Sequence, residues 1–81
     1  MKPDQDLIPG PAKAHKAVPA YLFLGGWGDG WSEISPGAEV WLLARIGDQV
    51  RFLAGSKGPV EGEIRGGGLF GVEYLEAFSK P

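Results

Sequence analysis

Fourteen glycines and seven prolines in 81 residues decide most of what this chain can become. From Val18 onward they cut it, together with Asp, into short runs of β-branched and aromatic residues. Runs of that length and make-up suit strands, and no segment offers a convincing helix, so the sequence predicts an all-β domain. Residues 20–24 (AYLFL) read as a first strand, and residues 38–46 (AEVWLLARI) and 49–54 (QVRFLA) as a hairpin closed by Gly47 and Asp48. After a GSKGP turn, residues 60–65 (VEGEIR) read as another strand, with Gly62 marking a bulge or a bend, and residues 72–78 as the last one. Residues 25–37 hold five glycines and a proline, which makes them a long excursion between the first two strands.

Five short strands must hide their edges, and closing into a small barrel is the most economical way to do so. The expected core is Tyr21, Phe23, Val40, Leu42, Val50, Phe52, Ile64, Leu69, Val72 and Leu75. Trp41 and Leu43 alternate with Val40 and Leu42, so they belong either to the core of a strongly curved strand or to an apolar surface patch. Residues 1–17 contain Pro3, Pro9 and Pro11, mixed charges and scattered apolar side chains, and read as a flexible N-terminal arm ahead of a barrel domain at 18–81.

Composition narrows the function. A chain this short buries only about 60% of the surface its unfolded form exposes, so one domain of modest stability is expected. With no cysteine, disulfides, thiolate metal sites and a Cys nucleophile are all excluded, and a reducing, cytoplasmic setting is the natural expectation. No apolar run reaches the roughly 18 residues of a membrane span, and the N-terminus lacks the build of a signal peptide. Eight Lys and Arg against ten Asp and Glu give a net charge of −2, where a nucleic-acid binder normally carries a basic excess. Between Gly25 and Val40 stand Asp29, Glu33 and Glu39 with no Lys or Arg, a stretch that would attract a basic partner.

The order of these pieces resembles the SH3 fold: a first strand, a long acidic loop, two hairpins, a tight helical turn and a last strand. Residues 20–23 (AYLF) stand where that family carries an alanine, leucine, tyrosine, aspartate and tyrosine signature. Residues 68–76 (GLFGVEYLE) are similar to its closing motif, and residues 33–40 (EISPGAEV) to the end of its acidic loop. The resemblance implies a five-stranded SH3-like barrel in which Tyr21 or Phe23 and Tyr74 form aromatic walls while Asp29 and Glu33 meet a ligand arginine. Polyproline segments suit such grooves because they are already extended. Residues 49–51 (QVR) replace the family's groove tryptophan and Gly71 replaces the proline of its closing motif, so the resemblance implies the barrel with a binding surface of its own.

Trp27 and Trp31 are the most informative pair, two large aromatics among Gly25, Gly26, Gly28 and Gly30. Each is either an anchor for a partner or a cap over an open barrel end. His15, the sole histidine, reads as a solvated arm residue, so a multi-histidine metal site is excluded. Glu61 and Glu63 share a strand face without a nucleophile, histidine or cation to make them catalytic. Residues 66–68 (GGG) lack the lysine, hydroxyl and following helix of a phosphate loop.

These features lead to a non-catalytic protein-binding module, a small regulator or inhibitor without cofactor or metal. It is expected to dock on a basic or Pro-rich partner through Tyr21, Trp27, Asp29, Trp31, Glu33 and Tyr74. Nucleic-acid binding by a stripe of Arg45, Arg51, Lys57 and Arg65 is the first alternative. A structural homo-oligomer using Trp41, Leu43, Val72, Tyr74 and Phe78 is the second, and otherwise a monomer or weak oligomer is expected.

Overall fold

The computed structural model describes residues 7–23, 29–62 and 65–80, and they form an all-β protein. Its strands are β1 (Gly10–Ala14), β2 (Val18–Phe23), β3 (Asp29–Ile34), β4 (Glu39–Ile46), β5 (Gln49–Ala54), β6 (Gly67–Gly71) and β7 (Phe78–Ser79). A 3-10 helix, Val72–Ala77, separates the last two. All seven strands pair antiparallel in one sheet of order β3-β2-β6-β5-β4-β1-β7. Among the described residues no helix is long and apolar enough to cross a membrane.

The expected five-stranded barrel is therefore corrected to a seven-stranded sheet that does not close, with β3 and β7 at its edges. The sheet nevertheless curls. Ala12 and Ala14 of β1, Val18 and Ala20 of β2 and Ile34 of β3 share one buried cluster with Val40, Leu42, Val50, Phe52, Phe70 and Ala77. Strands far apart in the order thus wrap one core. Phe70 lies at its centre, stacked on Phe78 at 4.9 Å and tilted against Phe52 at 5.6 Å.

Each departure from the sequence expectation has a local cause. Gly10–Ala14, placed in the arm, pairs with both β4 and β7. Its inward positions are alanines, which bury in a narrow space but carry no apolar bulk to signal a strand. Backbone hydrogen bonds fix its end: Ala14 N–H donates to Ala38 O (2.9 Å), Gly37 N–H to Ala14 O (2.7 Å) and His15 N–H to Ala77 O (2.8 Å). The long excursion contains β3, whose alternation the glycines mask. Val60 is exposed and residues 61–62 turn, so the strand expected at 60–65 does not run through its described part and β6 takes its place. Gly67 and Gly68 allow that substitution, because a Cβ on either would collide with backbone of β5 or β2.

The last expected strand is mostly helical. Glu73 and Glu76 are exposed three residues apart, with Val72, Tyr74 and Leu75 packed on the core and Ala77 buried. That spacing matches three residues per turn rather than two. The β4–β5 hairpin forms as expected, with positive φ (63°) at Gly47 alone, as a turn with Gly at its first central position requires. A bulge at Leu43 shifts the register between Leu42 and Ala44, so the two faces of β4 exchange midway along the strand.

Of the expected core, Val40, Leu42, Val50 and Phe52 are buried, and Tyr21, Phe23, Leu69, Val72 and Leu75 are half-buried. Ile64 lies outside the described residues.

Candidate functional site

The strand register builds the candidate site. Along β2, Val18 and Ala20 face the core, which turns Pro19, Tyr21 and Phe23 to the other side of the sheet. Opposite them on β3 stand Glu33, Trp31 and Asp29, and on β6 Leu69 and Gly67 pair with Tyr21 and Phe23. Arg51 and Leu53 of β5 then pair with Leu69 and Gly67. A continuous row therefore crosses four strands on the outer face: Trp31, Tyr21, Leu69, Arg51.

Ring contacts link side chains on this face. The Tyr21 and Trp31 rings meet edge to face at 5.4 Å and 85°, and Tyr21 meets Phe23 at 5.6 Å and 63°. The Arg51 guanidinium lies 5.5 Å from the centre of the Phe23 ring. Such aromatic pairs contribute about 0.5–1.5 kcal/mol beyond the area they bury. Tyr21 thus holds Trp31 in place while leaving it 73% exposed. A large aromatic fixed on one edge and open on the other is suited to contact, since little motion is left to lose on docking. Glu33, two residues along the same strand face, is also exposed.

The expected site residues separate accordingly. Tyr21, Trp31 and Glu33 come together, and Asp29 takes the register position opposite Phe23. Trp27 lies outside the described residues. Tyr74 is on the 3-10 helix and packs against the core, away from the ring contacts centred on Tyr21. The same face also carries Phe23, expected in the core or as an alternative wall to Tyr21, Leu69, expected in the core, and Arg51, expected only in a basic stripe. The alternation of Phe23 with Tyr21 was visible in the sequence. The approach of Leu69 and Arg51 depends on β6 lying between β2 and β5, which no short-range pattern reveals.

Two concave regions flank the sheet. Leu22, Ile34, Val40, Phe52 and Ala54 line a cavity of about 280 Å³ where β3 approaches β4, with Glu33 and Glu39 at its rim. An apolar groove of about 650 Å³ runs between the segment 7–12 and the end of the chain, lined by Leu7, Ile8, Leu42, Leu75 and Phe78. Among the described residues no three His, Cys, Asp or Glu side chains are grouped to hold a metal ion.

The basic residues are dispersed. Arg45 donates from Nε to Gly47 O at 2.9 Å, bracing the hairpin turn. Arg65 donates through Nη2 to Lys57 O and, at 2.8 Å, to Gly58 O. That clasp holds Gly58 beneath the Trp41 indole, where a Cβ would come within 3.0 Å of Trp41 Cζ2. Trp41 is therefore half-buried under the loop after β5, in neither the core nor an open patch.

Compared with protein-family models, with curated proteins and with solved structures, the chain matches none.

Proposed function

We propose that this chain is a non-catalytic protein-binding module that docks a partner on the outer sheet face around Trp31. The observation that carries this reading is the Trp31–Tyr21 contact, which presents an indole 73% exposed yet braced by a neighbouring ring. Tryptophan is enriched among residues that dominate interface energies, and Phe23, Leu69 and Arg51 extend the same surface. Glu33 on this face, with Asp29 at the adjoining register position, favours a basic or Pro-rich segment.

The SH3-like reading is supported by the chain order of hairpin β2–β3, hairpin β4–β5, strand β6, 3-10 helix and short last strand. The ligand surface in this proposal is its own, because residues 49–51 and Gly71 replace the family's groove tryptophan and proline, and Tyr21 makes its ring contacts with Phe23 and Trp31.

The homo-oligomer reading loses support where its residues are already engaged: Trp41 is covered by Gly58, and Phe78 is stacked on Phe70. Nucleic-acid binding retains one supporting observation, the Arg51 guanidinium over the Phe23 ring, which in turn meets Tyr21, on an outward sheet face. Against a stripe, Arg45 and Arg65 are directed at nearby carbonyl oxygens.

The test is capture from a source lysate with wild type and Trp31→Ala, with and without nuclease. A partner should be retained by wild type under nuclease and lost from the variant, whose far-UV spectrum stays folded. Truncation at an interface tryptophan of this kind costs about 2 kcal/mol or more, roughly thirtyfold in affinity. Equal capture by the two proteins would reject the surface, and capture that disappears with nuclease would favour nucleic acid.

A further inference from the structure

We infer that the outer edge of β3 receives an extended partner segment as an added strand, with Lys or Arg facing Asp29 and Glu33 and an apolar residue between them against Trp31. The inference rests on the partner-binding reading above and specifies its mode and chemistry.

β3 is six residues long, pairs residue for residue with β2, and stands at the end of the strand order. A strand in that position has a row of backbone donors and acceptors directed away from its one neighbour, a template for another strand. The opposite edge, β7, has only two residues and offers no comparable length. The sheet face at Gly30 is open as well, since a Cβ placed there would meet nothing within 4 Å.

Charge decides the occupant. If two copies of β3 paired antiparallel with their Trp31 residues opposed, Asp29 of each would face Glu33 of the other. Like charges directly opposed across a strand pair are destabilising, so the acidic positions that blunt self-pairing select a basic strand instead. The pattern of basic, apolar and basic residues at alternate positions reads the same in both directions, so it suits either strand polarity. Trp31, already braced by Tyr21, supplies the apolar contact at its centre.

The probe is a capped peptide containing Lys-Thr-Val-Thr-Lys, titrated against the full chain by fluorescence anisotropy. Companion peptides are the Glu-Thr-Val-Thr-Glu version and two N-methylated forms, one blocking the amides of Lys and Val and the other those of Thr. Strand addition predicts saturable binding of the lysine peptide, at least tenfold weaker binding of the glutamate peptide, and loss of binding in one methylated form only. The double variant Asp29→Lys, Glu33→Lys should reverse the preference, binding the glutamate peptide at least tenfold better than the lysine one. No binding at millimolar peptide, equal binding of both methylated forms, or an unchanged preference in a folded double variant would each overturn the inference. A dimer in sedimentation that Trp31→Ala dissolves would overturn it too, because the occupant would then be a second copy. Partner capture that remains sensitive to Trp31→Ala alongside any of these results would leave the docking surface standing and reject strand addition alone.

Discussion

Trp31 and Phe70 are both large aromatics in strands, and their surroundings give them opposite roles. Phe70 is 1% exposed between Phe52 and Phe78, so truncation removes apolar area and leaves a void that its neighbours fill only in part. Phe70→Ala should cost about 3–5 kcal/mol, a large share of the 5–15 kcal/mol typical of a whole domain. Trp31→Ala should cost about 0.5–1.5 kcal/mol, because the indole is 73% exposed and loses its ring contact with Tyr21. Urea unfolding of the two variants checks this, and a Trp31→Ala loss as large as that of Phe70→Ala would place the indole in the core. At this scale the sequence was a good guide where residue type and alternation agreed, as at Val40, Leu42, Val50 and Phe52, which are buried as expected. It misled at Tyr74, whose alternation with Val72 looked like a strand, whereas the exposed Glu73 and Glu76 mark the 3-10 period.

Among the elements, β1 departs furthest from expectation. Prolines and charges made the segment look unable to repay its ordering, yet Ala12 and Ala14 are buried, and the backbone of Ala14 is bonded to the turn before β4 and that of His15 to the 3-10 helix. Alanine contributes little to any hydrophobic pattern, and the strand partners that justify it here lie 26 to 66 residues away in the chain. Removal of residues 1–14 would expose the edge of β4 and open the core beside Val40 and Leu42. The truncated chain should therefore lose its cooperative urea transition. A truncation that unfolds with the midpoint of the full chain would show that β1 is dispensable, as an arm would be. The β4–β5 hairpin, in contrast, was legible except for the bulge at Leu43, because its register is set by a two-residue turn within the same short segment.

For the whole molecule, seven antiparallel strands curl around one core without closing, and they leave two unlike surfaces. One is the outer row from Trp31 to Arg51, with an acidic border and braced rings. The other is the apolar groove between the segment 7–12 and the end of the chain. Composition and turn chemistry identified the all-β class, but the strand count depended on β1 and β3, where small residues and glycines conceal the alternation. The outer row ranks first because its residues combine exposure, ring contacts and charge, whereas the groove is lined mainly by apolar groups, with Ser79 and Lys80 beside them.

The most direct test of that ranking is residue-by-residue mapping of amide chemical shifts in the labelled protein on addition of the partner captured by wild type. The account predicts that the largest changes fall on β3, on Tyr21 and Phe23, and on Leu69 and Arg51, with Trp31→Ala removing them. Changes concentrated on Leu7, Ile8, Leu75 and Phe78, with the β2 and β3 amides unmoved, would contradict it and move the binding surface to the groove.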